Sequence, residues 1–239
     1  HRLVGAEALM PWSHPARGMV PPAEFIPFAE QTGFVRELTL WMVEEAARHW
    51  QALQGHGPLT VSINLSVRDL MDPALPAKLD ERLARHGAPA RGFCLEITES
   101  AVMDDPERAK ATLDALSARG FTLSIDDFGT GYASLAYLHR LPVDELKIDR
   151  SFIVGLLHGA DDAKIVRSTI ELAHTLGLEV VAEGIETQAV YERLAEMGCD
   201  VGQGYHLSRP LQPSAFGDWA QHWRARAVQT APALSGAGD

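Results

Sequence analysis

Short runs of alternating apolar and polar residues recur along this chain, separated by stretches with a helical period. On a strand, successive side chains point to opposite faces. Leu59, Val61, Ile63 and Leu65 therefore share one face, with Thr60, Ser62 and Asn64 on the other. The same split sets Phe93, Leu95 and Ile97 against Cys94, Glu96 and Thr98, and Phe121, Leu123 and Ile125 against Thr122, Ser124 and Asp126. Leu146 and Ile148 oppose Lys147, Glu183 is out of phase with Leu178, Val180 and Ala182, and Glu7 opposes Val4, Ala6 and Ala8. These runs predict strands at 3–9, 59–65, 93–98, 121–126, 144–149, 178–183 and 199–205. Helical patterns cover 37–53, 106–119, 163–176 and 188–197, with Gly87, Gly120, Gly177 and Gly198 as helix stops. A further helix begins after Pro21 and Pro22, and its Phe25 and Phe28 are expected in the core.

Strand alternating with helix predicts parallel strands joined by crossover helices. Seven strands approach the eight of a TIM-like (β/α)8 barrel, in a modified form with the first strand missing from the N-terminus of this chain. An open doubly wound sheet is the alternative, but no GxGxxG follows an early strand. The barrel domain is expected over residues 1–224, with 225–239 as a flexible C-terminal tail of "TAPALSGAGD" composition. In such a barrel the bulky faces pack on the outer helices and each strand delivers a polar group near its carboxyl end, where barrel active sites are assembled. Glu7, Asn64, Glu96, Asp126, Asp127, Lys147, Glu183 and, less regularly, Gln203 would converge there.

Composition narrows the chemistry. The 239 residues are 46% hydrophobic and 22% charged, and no apolar run approaches the roughly 20 residues of a membrane span. A net charge of −11 argues against DNA or RNA polymer partners, whose affinity comes from Lys and Arg on phosphates. No leader pattern opens the chain, so a cytoplasmic location is expected. The two cysteines, Cys94 and Cys199, form neither a zinc pattern nor a disulfide framework, and the histidines form no HxH or HxxxH pair.

Adjacent Asp126 and Asp127 disfavour each other's ionisation unless a positive charge lies before them. Oxygen donors of this kind suit Mg²⁺ or Mn²⁺, and two ions sharing a carboxylate form a recurrent phosphodiester-cleaving arrangement. Any single strand-end acid also has a plainer use: Asp149 in "KIDRSF" reads as the cap of the next helix. The "GTG" bend at 129–131 reads either as a simple turn or as a mobile segment over the site. A lyase or isomerase with one carboxylate-bound Mg²⁺ and Lys147 as base is a further possibility, which the paired aspartates disfavour.

The ordered motifs "EAL" (Glu7 to Leu9), "NLS" (Asn64 to Ser66), "EITES" (Glu96 to Ser100), "DDFGTGYASL" (Asp126 to Leu135), "LKIDRSFI", "VVAEGIET" and "GQGYHLSRP" resemble the EAL domain of cyclic di-GMP phosphodiesterases, from Arg2 to about Pro210. The resemblance implies a modified barrel that hydrolyses cyclic di-GMP to linear pGpG with two Mg²⁺ or Mn²⁺ ions. It implies Glu7, Asn64, Glu96 and Asp126 as ligands of one ion, with Asp126 bridging to a second ion held by Asp127 and Glu183. Lys147 would hold the attacking water, Gln203 would support the site, Glu99 would anchor the loop after Asp126, and Glu186 would be a secondary acid. It also implies a homodimer and fusion to sensory or GGDEF-type domains. The family pattern "EALxRW" is broken, because Pro11 stands where an arginine would meet a substrate phosphate. A bidentate contact is lost there, which predicts weakened substrate capture. A non-catalytic cyclic di-GMP receptor is the competing reading.

Overall fold

A computed structural model describes residues 2–129 and 135–230, with the side chains of 135, 136, 160 and 226–230 outside the description. Seven parallel strands form one sheet, and their order in space is their order in sequence: β1 (Gly5–Glu7), β4 (Thr60–Leu65), β5 (Phe93–Thr98), β6 (Thr122–Phe128), β7 (Glu145–Ile148), β8 (Glu179–Ala182) and β9 (Val201–Gly202). Helices α1 (Pro22–Thr32), α2 (Val35–Gln54), α3 (Val67–Leu70), α4 (Leu75–Ala84), α5 (Glu99–Asp104), α6 (Pro106–Ser117), α7 (Leu135–Leu138), α8 (Arg150–Val154), α9 (Ala160–Leu176), α10 (Gln188–Glu196) and α11 (Pro213–Thr230) account for the crossovers and the C-terminal segment. At the carboxyl ends, Gln203 just beyond β9 donates from Nε2 to Oε2 of Glu7 on β1 at 2.6 Å. The first and last strands of the sheet thus meet through side chains, and the sheet curls into a modified (β/α)8 barrel. Among the described residues they share no backbone ladder.

The alternating pattern places the core as expected. Ile63, Leu95, Leu123, Leu146 and Val180 on successive strands are at most 1% exposed, and each such side chain contributes roughly 1.5–3 kcal/mol by leaving water. From the helix side α2 adds Leu40, Val43, Ala47 and Trp50 to the same cluster. The Trp50 ring lies 5.2 Å from that of Phe93 and covers Gly92 so closely that a Cβ there would fall 1.9 Å from the indole. Only glycine admits that approach. Of the predicted helix stops, Gly177 ends α9 in the left-handed region at φ 78 and donates to the carbonyls of Ala173 and His174.

Several features depart from the sequence pattern. An antiparallel hairpin, β2 (Trp12–His14) and β3 (Gly18–Val20), stands apart from the main sheet directly after β1. Phe28 is 68% exposed rather than in the core, because α1 turns Phe25, Ile26 and Ala29 inward and leaves Phe28 on its outer side. The strand expected over 199–205 shrinks to Val201–Gly202: a Cβ on Gly204 would sit 2.2 Å from the Ile185 carbonyl oxygen, so the chain there packs against a neighbouring backbone instead of extending a ladder. The last helix continues to Thr230, and the remainder of the proposed tail, 231–239, lies outside the described residues, as do 130–134 of the glycine-rich bend. No helix among the described residues is long and apolar enough to cross a membrane.

Candidate active site

Three strands deliver their polar residue to the barrel mouth by one repeated device. Asn64, Glu96 and Lys147 each lie two residues before an N-cap that stops the strand and starts a helical turn. Ser66 accepts from the Asp69 N–H at 3.2 Å, Thr98 from the Ala101 N–H at 3.3 Å, and Asp149 from the Ser151 N–H at 3.0 Å. Asp149 thus fills the capping role. Asn64 and Glu96 are direct partners in the β4–β5 register, and Thr98 pairs with Asp126 between β5 and β6.

The paired aspartates need a different device, since neighbours on a regular strand face opposite ways. Between β6 and β7 the register slips: Ile125 pairs with Leu146 and Phe128 with Ile148, so three steps on β6 match two on β7. This is a β-bulge, which re-aims a side chain. Asp127 sits within it at φ 54, a left-handed conformation that Asp tolerates better than most residues. Its N–H donates to Asp126 Oδ1 at 2.9 Å. Asp127 lies close enough to Asp126, Asp149 and Lys147 to feel their charges.

Lys147 is the centre of the arrangement. Its side chain is 1% exposed, and its Nζ lies 2.5 Å from Glu183 Oε1, 2.8 Å from Glu96 Oε2 and 3.6 Å from Asp126 Oδ2. The contact to Glu96 is an ion pair rather than an aligned hydrogen bond, as neither Lys147 Nζ nor Glu96 Oε2 has a hydrogen-bond partner in line. On the adjoining rim, Glu7 accepts from Asn64 Nδ2 at 2.8 Å through Oε1 and from Gln203 through Oε2. Lys147, Glu96, Asp126 and Glu183 thus form one cluster and Glu7, Asn64 and Gln203 a second, the two adjoining through the Asn64–Glu96 register and the charge of Glu7, with Asp127 at the edge.

Burial sets the charge states. It pushes Glu96 up to about 7 against the pull of Lys147, with Glu7 and Asp126 adding to the rise. Glu183 is likewise pushed up to about 7 by burial, opposed by Lys147 and reinforced by Asp126. Asp127 is raised by burial and then by Asp126 and Asp149. For Lys147, burial works against the charge, but Glu96, Glu183, Asp126 and Glu7 together outweigh it and hold the ammonium protonated. Crowded acids sharing one buried cation are short of positive charge.

The donor set fits a hard divalent ion in chemistry: carboxylates and one amide, with a buried Glu96 oxygen lacking an aligned partner. Among the described residues, however, no group of three His, Cys, Asp or Glu side chains is arranged to hold a metal ion. The acids turn instead toward the Lys147 ammonium.

Glu99 opens α5, is 5% exposed, and accepts from the Gly129 N–H at 3.2 Å, just where the bend begins. Glu186 is exposed and ion-paired with Arg150. Pro11 is exposed between β1 and the hairpin, beside Trp12, whose ring packs edge-on against Phe25 at 5.3 Å. The hairpin is not legible in the sequence, and the bulge only indirectly. A "DD" pair in a strand was the signal for the bulge, since strict alternation cannot turn both acids to one side.

The family model of the EAL domain matches residues 1–210. The bifunctional diguanylate cyclase/cyclic di-GMP phosphodiesterase MucR of Pseudomonas aeruginosa is 43% identical over 211 residues, which is 87% of this chain and 31% of MucR. The cyclic di-GMP phosphodiesterase NbdA of the same organism is 40% identical over 220 residues, 91% of this chain and 28% of NbdA. The chain thus spans about a third of the length of these curated relatives. Among solved structures, a PaMucR phosphodiesterase in complex with c-di-GMP superposes with a TM-score of 0.86 at 41% identity, covering 90% of this chain and 88% of that one. Pattern, barrel and family model agree, and the chain belongs to the EAL domain family.

Proposed function

We propose that this domain is a phosphodiesterase that hydrolyses cyclic di-GMP to linear pGpG with the help of Mg²⁺ or Mn²⁺. The observation that carries this reading is the buried Lys147 ammonium among Glu96, Asp126 and Glu183, at the mouth of a barrel similar to enzymes named for that activity.

Glu7, Asn64, Glu96 and Asp126 would hold one divalent ion, and Asp126, Asp127 and Glu183 a second. When bound, such ions lower the pKa of a coordinated water and offset charge developing on the phosphoryl oxygens. The chain's own residues do the rest. Lys147, kept protonated by the surrounding acids, orients the attacking water through its N–H donors. Gln203 holds Glu7 in place, so the amide acts by aiming a carboxylate. Glu99 fixes the start of the bend after Asp126 through the Gly129 N–H. Pro11 offers no cation to a substrate phosphate, so capture of the dinucleotide is weakened.

Binding without cleavage is the second reading, favoured by one observation: the described acids converge on an ammonium rather than forming a ready three-ligand cluster. A mass-spectrometric assay separates the two. The expected result is pGpG formed with Mg²⁺ or Mn²⁺ and none with excess chelator. Tight dinucleotide binding without pGpG at any metal concentration would overturn the enzyme reading in favour of a receptor. A homodimer, and fusion to GGDEF-type or sensory domains in a longer protein, are further parts of this proposal, in keeping with the greater length of the relatives.

A further inference from the structure

The three strands that end in the site-then-cap device hold their site residues by different means. Glu96 and Lys147 are 2% and 1% exposed, so packing fixes them. Asn64 is exposed, so burial does not fix it. Its amide meets Glu7 from the last residues of β4 before the Ser66 cap.

The cap after Asn64 is also built differently. Thr98 and Asp149 are half-buried and accept from N–H groups of their own short helices. Beneath Ser66, by contrast, lies Asp69, only 1% exposed. Asp69 Oδ2 accepts from the Ser66 N–H at 2.9 Å, the Ser66 hydroxyl at 2.6 Å and the Thr39 hydroxyl at 2.9 Å. Asp69 Oδ1 is buried with no hydrogen-bond partner. Capping a four-residue helix does not require a buried carboxylate, and one with an unpaired oxygen is a costly way to do it. What this carboxylate adds is reach. Thr39 lies on α2, so Asp69 bolts the exit of β4 to a separate, long helix. Arg36 Nε of α2 donates to the Arg68 carbonyl at 3.0 Å, and Arg68 Nη2 donates to the Gln31 carbonyl of α1 at 3.3 Å, extending the same clamp.

We propose that Asp69 is a positioning residue that sets Asn64 against Glu7 by locking the end of β4 to α2, and thereby tunes the first divalent-ion site. The metal part of this inference rests on the function proposed above, whereas the placement of Asn64 does not. The test uses the domain with Asp69→Ala, Asp69→Asn and Thr39→Val. Asp72→Ala serves as a nearby control, since Asp72 caps its own turn at Ala74 and pairs with Lys78. Two readouts are needed: the side-chain amide resonances of Asn64 by NMR, assigned by their loss in Asn64→Asp, and Mn²⁺ binding by calorimetry.

Asp69→Ala should move the Asn64 amide pair and weaken Mn²⁺ binding by about tenfold, the size seen when groups supporting a metal ligand are removed. Asp69→Asn keeps an oxygen for the three donors and should remain within about twofold of wild type. Thr39→Val should shift both readouts in the same direction by less, and Asp72→Ala should lower Tm while moving neither. Unmoved Asn64 resonances in Asp69→Ala, or in Thr39→Val where Asp69→Ala does not fold, would overturn the proposal. If the wild type binds no Mn²⁺, the proposed function fails, and the Asn64 resonances still decide the positioning role.

Discussion

At the scale of single residues, the site is a contest between burial and charge, and Lys147 decides it. An ammonium at 1% exposure survives because three carboxylates stand within 3.6 Å. Replacing it by Met leaves those acids without a cation, and truncating one partner of a buried pair costs about 3–5 kcal/mol. Lys147→Met is therefore expected to abolish pGpG formation and to lower stability at pH 8 more than at pH 5, where the acids take up protons instead. Thermal melts at the two pH values check this, and equal losses would show that the acids do not depend on the ammonium. Pro11 is the opposite case in the proposed function, a position that offers no cation. Restoring arginine in Pro11→Arg should lower both KM and Kd for cyclic di-GMP by about tenfold, equivalent to roughly 1.4 kcal/mol for a charge-assisted phosphate contact. Unchanged KM and Kd would remove Pro11 from the account of substrate capture. Both residues were legible in the sequence, Lys147 through its phase with the acids and Pro11 through its break with "EALxRW". Asp69 was not legible: an acid three residues after a serine is a common capping pattern, and its burial under α2 depends on a partner 30 residues earlier in the chain.

Among the elements, β6 carries its local irregularity at the paired aspartates. The bulge breaks strict alternation at two consecutive carboxylates, at the cost of holding Asp127 in a left-handed backbone conformation that favours glycine. Asp127→Gly should relieve that strain and leave stability unchanged or higher by up to ~1 kcal/mol, while pGpG formation is lost. Urea unfolding beside the turnover assay would reveal it, and an active Asp127→Gly enzyme would mean that the second aspartate holds no ion. The C-terminal helix α11 carries a row of packed aromatics. Trp219 lies between Phe216 at 5.8 Å and Trp223 at 5.7 Å, and the helix packs on α2. Trp219→Ala should cost about 2 kcal/mol of stability, less than a fully buried aromatic, and leave Kd for the dinucleotide untouched. The longer helices α2, α6, α9 and α10 announce themselves by period. Neither the hairpin β2–β3 nor the three short helices behind the strand ends could be read that way, because three to six residues carry too little periodicity to separate from loop.

For the whole molecule, the closed site links pH, metal and stability. Glu96 and Glu183 are pushed from an ordinary 4.5 up to about 7, so between those values the folded metal-free protein holds more protons than the unfolded chain. Stability then falls as pH rises through that window, because the unfolded state binds fewer protons than the native one. Lys147, raised by its acids, stays charged in both states across this range and adds no opposing slope. In chelator, Tm is expected to drop from pH 5 to pH 8, and Mg²⁺ or Mn²⁺ should raise it more at pH 8 than at pH 5, since cations bind the ionised acids. A Tm that rises over this range in chelator would refute the charge balance described for the site. The sequence by itself determined most strands of the main sheet, their alternating faces and the barrel class, and it supplied the candidate acids, because side-chain alternation and helix period are local. Only the tertiary structure decided that Gln203 meets Glu7 across 196 residues, that Asp127 turns on a bulge, that Glu186 pairs with Arg150, and that β4 is bolted to α2 through Asp69. Those contacts come from the curl of the sheet and the seating of helices on it, which bring together residues that no local period relates.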